Sequence, residues 1–512
     1  MPDHQLILRH SGDFYTKARK TRLRFQQRLV HNIEDALTSE GIPFRLEKTW
    51  SRSYLETPDE RAIEVLTRVF GMQSVSAAEL RAWSTLDDVV RQGVEVFAAS
   101  TRGRTFAVRG TRRGDVTGIP FDSLDVERAL GKALLDAGAG RVRLDDPEVS
   151  AWVEMEAGTA GGPGLVRFFQ EKARSWGGLP VGVEGRAVAL VSGGFDSAVA
   201  SWLLLKRGVE LDYVFCNLGG AAHRLGVLKV MKVLADRWSY GYRPRLYEID
   251  FQPIADELRA KVRDQHWQII LKRQMVRVAE KMALRTRRLG MVTGEAIGQV
   301  SSQTLQNLMV ISQAARILPV FRPLLGFNKE EILDVARRMG VYDLAAAVGE
   351  YCDMVPRHPS TRARPDEIEK DEAALDPQIL KDVVAERTVW HLRDLPAGAL
   401  APSGLETDHI PAGATVLDLR TAHAYQAWHY PGALRLDFPR ALEAWPSFDK
   451  TRPYVLICEV GLKSAALAEK MQQGGFSAWH FAGGIKDLMA LAARERQADA
   501  AALALLAPAV RD

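Results

Sequence analysis

An apolar stretch, a glycine pair and a helix-forming stretch follow one another at Val188-Ala-Leu-Val191, Gly193-Gly194 and Ala198 to Lys206. Glycine costs conformational entropy on folding, so paired glycines at such a junction mark a place where backbone must come close to something. The full run is Val191-Ser-Gly-Gly-Phe-Asp-Ser197. Its amides can approach an anion, and the following helix adds partial positive charge at its N-terminus. Ser192 and Ser197 offer hydroxyl donors, and Asp196 can hold a magnesium ion or position the loop. The run lacks the Gly-Lys-Ser/Thr ending of a Walker loop and the G-x-G-x-x-G of a dinucleotide fingerprint. From Gly185 to about Gly349, further apolar stretches at Leu211–Asn217, Arg245–Phe251 and Gly290–Thr293 alternate with helical ones. That alternation predicts an α/β domain with a parallel sheet covered on both faces.

A chain of 512 residues has room for three or four domains. Its net charge is only +4, so any RNA footprint must be local. Two basic clusters meet that requirement. Lys17, Arg19, Lys20, Arg22, Arg24 and Arg28 crowd one N-terminal segment, with Leu23, Phe25 and Leu29 as its expected apolar face. Arg102, Arg104, Arg109, Arg112 and Arg113 crowd a second, where 105–115 reads as a strand with a basic turn. A helix is expected over 121–130, N-capped by Asp122 or Ser123, and a strand over 147–156. The glycines at 158–164 mark a loop. Pro356 to Glu372 reads as a linker entering a short helix.

The three cysteines, Cys216, Cys352 and Cys458, are too few for a disulfide scaffold and wrongly spaced for a zinc knuckle. With no signal-like N-terminus and no apolar run long enough to span a bilayer, a cytoplasmic, reducing location is expected. Cys458 ends an apolar stretch in Val455-Leu-Ile-Cys-Glu-Val-Gly-Leu-Lys-Ser464, with a helix expected near Ser464. A loop of that form wraps amides around one sulfur and favours its anion, and Lys463 adds positive charge. Cys216, flanked by Val214, Phe215 and Leu218, reads as core.

The run 192–197 matches the S-G-G-x-D-S loop of ATP pyrophosphatases. The loop 458–464, with Leu417-Asp-Leu-Arg420, His429-Tyr-Pro-Gly-Ala433 and Ala482-Gly-Gly484, resembles rhodaneses. Glu459 departs from the basic residue common there. Together with Asn217 to His223, Ile270 to Arg273, Thr293 to Thr304, Arg322-Pro-Leu324 and Glu350-Tyr-Cys352, these runs make nearly the whole chain resemble the tRNA 4-thiouridine synthase family, in its long form. The resemblance implies an α/β multidomain protein: a ferredoxin-like domain (1–60), a THUMP domain (61–168), a doubly wound ATP-pyrophosphatase domain (176–352), a linker (353–404), a rhodanese domain (405–490) and a tail (491–512). It implies ATP, with magnesium carried by the nucleotide rather than by a dedicated protein metal site. The nucleotide contacts would be Leu190, Val191, Ser192, Gly193, Gly194, Asp196, Ser197, Lys272, Gly294 and Gln303, with Lys329 neutralising phosphate charge. Cys458 would carry a persulfide in a loop with Gly461, Lys463 and Ser464, and Cys352 would close a disulfide with it. The implied partners are tRNA, modified at uridine eight, a cysteine desulfurase and a thiol reductant. A sulfur-carrier protein of thiamine synthesis and a homodimer belong to the same family picture. The alternative is a tRNA-binding persulfide carrier serving mainly thiamine sulfur delivery, without ATP chemistry. The complete phosphate loop weighs against it.

Overall fold

A computed structural model describes residues 4–14, 16–48, 52–158, 162–348, 358–395, 397–400, 404–458, 462–482, 484–485 and 487–494. It divides into two compact units, one of residues up to 184 with 206–208, the other of 185–205 and 209 onward. No described helix is long and apolar enough to cross a membrane.

The first unit is built on one eight-stranded sheet. Its strands run, in spatial order, Arg45–Lys48, Arg52–Glu56, His4–His10, Met72–Trp83, Gly164–Phe169, Val149–Glu156 and Phe106–Arg113, with Ala173–Arg174 beside Met72–Trp83. The break expected at residue 60 is not there. Met72–Trp83 pairs with His4–His10 along its first part and with Gly164–Phe169 along the rest, so one strand serves both halves. Alternation sends Phe106, Val108, Val149, Ala151, Val153 and Met155 into the core on one face. Two helices cover that core, Leu86–Thr101 and Ser123–Asp136. Each starts on a capping box, from Thr85 with Asp88 and from Asp122 with Asp125. Helix Arg19–Ser39 buries Phe25, Leu29, Ile33, Ala36 and Leu37. Leu23, expected on that face, lies 41% exposed, because two residues before Phe25 is about 200° round the helix.

The second unit holds two sheets. The larger runs Val320–Phe321, Met291–Val292, Arg186–Leu190, Glu210–Asn217, Arg245–Asp250 and Thr388–His391. All its pairings are parallel except the last. From Arg186–Leu190 the chain builds outward on one side, then crosses back to place Met291–Val292 on the other. The strand order therefore reverses at Arg186–Leu190, and a crevice opens beyond the carboxyl ends there.

The segment read as a linker is largely part of this domain. Helices Pro365–Glu372 and Ile379–Ala385 bury Ile368, Leu380, Val383 and Val384 in its core, and Thr388–His391 adds the antiparallel edge strand. The short helix expected there is present, opened by Pro365, but charge misled as to its burial: Glu372 is interior, bonded to Arg273, Gln274 and Arg277. The smaller sheet is all parallel, in the order Glu406–Thr407, Ala478–Phe481, Tyr454–Ile457, Thr415–Asp418 and Leu434–Arg435.

Candidate active site

At the reversal of strand order lies a cavity of about 620 Å³. Leu190, Val191 and Ser192 lead into it, and Asp196, Ser197, Lys272, Gly294 and Gln303 face it from other elements. The helix begins at Phe195, three residues earlier than expected, so Asp196 and Ser197 lie in its first turn. Gly193 takes φ +79°, a left-handed conformation that suits glycine. The serine hydroxyls shape the loop itself. Ser197 Oγ accepts from Ser192 N at 3.3 Å and donates to Gly194 O at 3.2 Å, and Ser192 Oγ accepts from Gly194 N at 3.4 Å. The proton of Ser192 Oγ remains available to an anion.

Gly294 has a different duty. A Cβ there would lie 2.6 Å from Asp196 C and 2.7 Å from Ser197 N, so only glycine lets 293–295 pass the start of the helix. Asp196 is held from both sides, by Lys329 Nζ on Oδ1 and Gln299 Nε2 on Oδ2, each at 2.9 Å. Lys329, outside the cavity lining, thus reaches the site through Asp196.

Lys272 is aimed at the cavity with a buried counter-ion behind it. Its Nζ is 3.4 Å from Glu295, which also takes Arg322 at 2.7 Å and Thr293 at 3.2 Å. Burial pushes the Glu295 carboxyl up, but Lys272 and Arg322 outweigh it and hold its pKa below the ordinary value. His223 supports the loop from beneath, its Nε2 3.1 Å from Ser192 O. Burial lowers its pKa to about 4, against the opposing bond to Ser192, so the ring is neutral and Nε2–H donates. Glu295, Gln299 and Arg322 stood inside recognised runs without an assigned role, as did His223. Cys216 lines the cavity wall from the core, and burial pushes its thiol up, away from reactivity.

The second centre sits at the carboxyl end of the middle strand of the small sheet. Cys458 follows Tyr454–Ile457 and is 4% exposed. Its Sγ accepts from Ser464 N at 3.4 Å and lies 3.3 Å from Ser464 Oγ. Ser464 stands in the first turn of helix Leu462–Gln473, so the helix end and a hydroxyl converge on one sulfur. Lys463 is exposed, with its ammonium 5.9 Å over the Phe438 ring. The neighbouring strand end is set by a buried pair in which Arg420 grips both oxygens of Asp418. Gly461 and Cys352 lie outside the described residues. Val348, four residues before Cys352, packs on Gly193 and Gly226.

In the first unit the basic residues sort by face. Arg109 and Arg113 share the face opposite the core with Trp152 and Glu154, whereas Arg112 alternates to the other side and donates to Phe121 O. Arg104 pairs loosely with Glu148 at 3.8 Å, and Arg102 ends a helix at the sheet margin. Sequence reading missed the other cations of that face, Arg9, Arg52 and Lys172. They surround Glu154, with Arg9 over Phe169 and Lys172 over Trp152, rings that stack at 6.0 Å. Burial and the charges of Arg9 and Arg52 lower the Lys172 ammonium to about 8. On helix Arg19–Ser39, Arg19, Lys20 and Arg24 are exposed and Arg22 half-buried; Lys17, just before the helix, is half-buried too. Arg28 is used up internally, donating to Val181 O at 2.7 Å.

Comparison with known proteins agrees with this geometry. Family models match in chain order: the ThiI ferredoxin-like domain at 6–76, the THUMP domain at 84–161, the thiamine biosynthesis protein (ThiI) at 182–376 and the rhodanese-like domain at 405–491. The tRNA sulfurtransferase of Pyrobaculum aerophilum is 34% identical over 93% of this chain and 96% of its own. The chain belongs to the tRNA sulfurtransferase family. The tRNA sulfurtransferase of Marinobacter nauticus is 31% identical over 92% of this chain and 98% of its own. A crystal structure of a 4-thiouridine synthetase–RNA complex with bound ATP superposes with a TM-score of 0.65 at 29% identity, covering 76% of this chain and 99% of that one. As a tRNA sulfurtransferase the chain is an enzyme that joins ferredoxin-like, THUMP, pyrophosphatase and rhodanese parts.

Proposed function

We propose that this tRNA sulfurtransferase uses ATP to convert uridine eight of tRNA to 4-thiouridine, with sulfur carried as a persulfide on Cys458. The observation that carries the reading is the presence, in one chain, of a phosphate-loop cavity and a cysteine cradled by a helix N-terminus. ATP fits the cavity by its chemistry: Lys272, the free proton of Ser192 and the helix beginning at Phe195 all favour phosphate. Gly294 and Gln303 line the wall, while Gly193 and Gly194, outside the lining, turn the loop between Ser192 and the helix. Magnesium would arrive on the phosphates, near Asp196.

Uracil O4 attacks the α-phosphorus, the bond to the β-phosphate breaks and pyrophosphate leaves. The outer sulfur of the Cys458 persulfide then attacks C4 and AMP departs, leaving a disulfide between Cys458 and the base. The Cys352 thiolate attacks Sγ of Cys458, which frees the base as the thiolate of 4-thiouridine and closes a Cys352–Cys458 disulfide. A thiol reductant reopens that bond, and a cysteine desulfurase reloads Cys458. The face bearing Arg9, Arg109, Arg113 and Lys172 suits RNA phosphates, with Arg52 beneath it paired to Glu154. The family model for a thiamine biosynthesis protein over 182–376 favours a second use of the same persulfide, sulfur supply to thiazole synthesis.

The test is 4-thiouridine formation on unmodified tRNA with ATP, magnesium, a desulfurase and cysteine, read by near-ultraviolet absorbance. Wild type should form product, and Cys458→Ala and Asp196→Ala should not. Product from Cys458→Ala would remove the persulfide route, and product from Asp196→Ala would remove Asp196 from the site.

A further inference from the structure

Helix Gly220–Trp238 of the nucleotide domain lies against the domain that carries Cys458, and a carboxylate of that domain meets the helix N-terminus. Glu469, on the helix that follows the Cys458 loop, places Oε2 2.9 Å from the amide of Ala221, at the helix N-terminus. A Cβ on Gly220 would stand 2.2 Å from that same oxygen, so glycine is what allows the carboxylate so close. Two turns on, Lys229 stands on the same helix face, since residues 221, 225 and 229 share one side of a helix. Its charge acts at longer range on Glu406, a carboxylate 3.6 Å from His480 Nε2 that His480 chiefly holds below its ordinary pKa.

The Glu469 contact also lies on a bonded route between the two chemical centres. Ser464, five residues before Glu469 on one helix, holds the sulfur of Cys458. His223, two residues after Ala221 on the other, holds Ser192 of the phosphate loop.

We propose that Glu469 is a positioning residue for sulfur delivery, docking the Cys458 domain onto the N-terminus of helix Gly220–Trp238 beside the phosphate loop. This rests on the proposed transfer of persulfide sulfur to activated tRNA. Glu469 touches neither nucleotide nor sulfur, so loading and activation should proceed without it, and only the step that needs both domains should suffer.

Three readouts on the full-length enzyme separate these steps: radiolabelled sulfur on Cys458 from cysteine and a desulfurase, tRNA-dependent pyrophosphate release, and 4-thiouridine formed. In Glu469→Arg, loading and pyrophosphate release should stay within about twofold of wild type. Thiolation should fall about tenfold or more, the scale of one charge-assisted hydrogen bond at a helix end. Glu469→Gln, which keeps an acceptor, should remain within about threefold of wild type. Thiolation by Glu469→Arg at or above the wild-type rate would overturn the proposal. So would a matching fall in loading or in pyrophosphate release, which would place the effect inside one domain. A wild-type enzyme that loads sulfur and releases pyrophosphate but forms no 4-thiouridine would instead sink the functional reading beneath it.

Discussion

Gly294→Ala tests the geometry of the nucleotide site with one methyl group. The added carbon would meet Asp196 C at 2.6 Å and Ser197 N at 2.7 Å, and both are backbone atoms. No side-chain rotation relieves such a contact, so the first turn of the helix carrying Asp196 and Ser197 has to move. Overpacking of this kind costs about 1–3 kcal/mol. Alanine returns about 0.4–1 kcal/mol by restricting the unfolded chain. The steric cost wins, and a net loss of about 1–2 kcal/mol is expected. The displaced atoms are those that would receive phosphate, so ATP affinity should fall by about tenfold or more. Gly326→Ala is the control, because a Cβ there meets nothing within 4 Å and its φ is not left-handed. It should leave both stability and affinity unchanged or slightly improved. Titration calorimetry with ATP and denaturant unfolding of both variants decide the matter. Wild-type ATP affinity in Gly294→Ala would refute the argument that 293–295 and the phosphate loop are packed in register.

Glu372→Ala should destabilise the nucleotide domain by about 3–5 kcal/mol in denaturant titration, since it strands the buried Arg273 beside Arg277; a loss under about 1 kcal/mol would return 365–372 to the status of a linker. His223 makes the same domain acid-sensitive. Its folded pKa of about 4 lies below the ordinary 6.5, so the unfolded chain binds the proton first and stability falls as pH drops between those values. From pH 7 to about 4.5 the loss is about 2–3 kcal/mol, and His223→Gln should lose correspondingly less over that range. Ser464→Ala removes one of the two groups that, among the described residues, meet the Cys458 sulfur, and alkylation of Cys458 at neutral pH should slow about tenfold; an unchanged rate would show that the hydroxyl does not tune the thiol.

What could be read in the chain was what the chain writes contiguously. The phosphate loop was legible because strand, glycines and helix occupy one unbroken stretch, and alternation of apolar runs forecasts a parallel sheet by itself. The Cys458 loop was legible for the same reason. Glu295 and Arg322 were not, because their value to Lys272 arises only when two strand ends come side by side. Nor were Arg9, Arg52 and Lys172, which span more than 160 positions and join Arg113 on one sheet face only through pairing across the sheet. The segment 365–391 failed in the opposite direction. Its charges suggested solvent, yet burial with a partner of opposite sign lets the same residues serve as interior.

One device recurs at both chemical centres. Each lies at the carboxyl end of a central parallel strand, where the next helix begins. In one, the helix starting at Phe195 faces a cavity suited to phosphate; in the other, the helix starting at Leu462 faces a sulfur. In the proposed reaction both reactants are anions, and a parallel sheet puts backbone amides at that edge. Lys272 apart, the polar side chains form a second layer: Lys329 and Gln299 on Asp196, Glu295 behind Lys272, Asp418 on Arg420. Backbone amides can receive the reacting anions while side chains set the backbone, so substitutions in that second layer should act by moving the loops rather than by removing a contact to substrate.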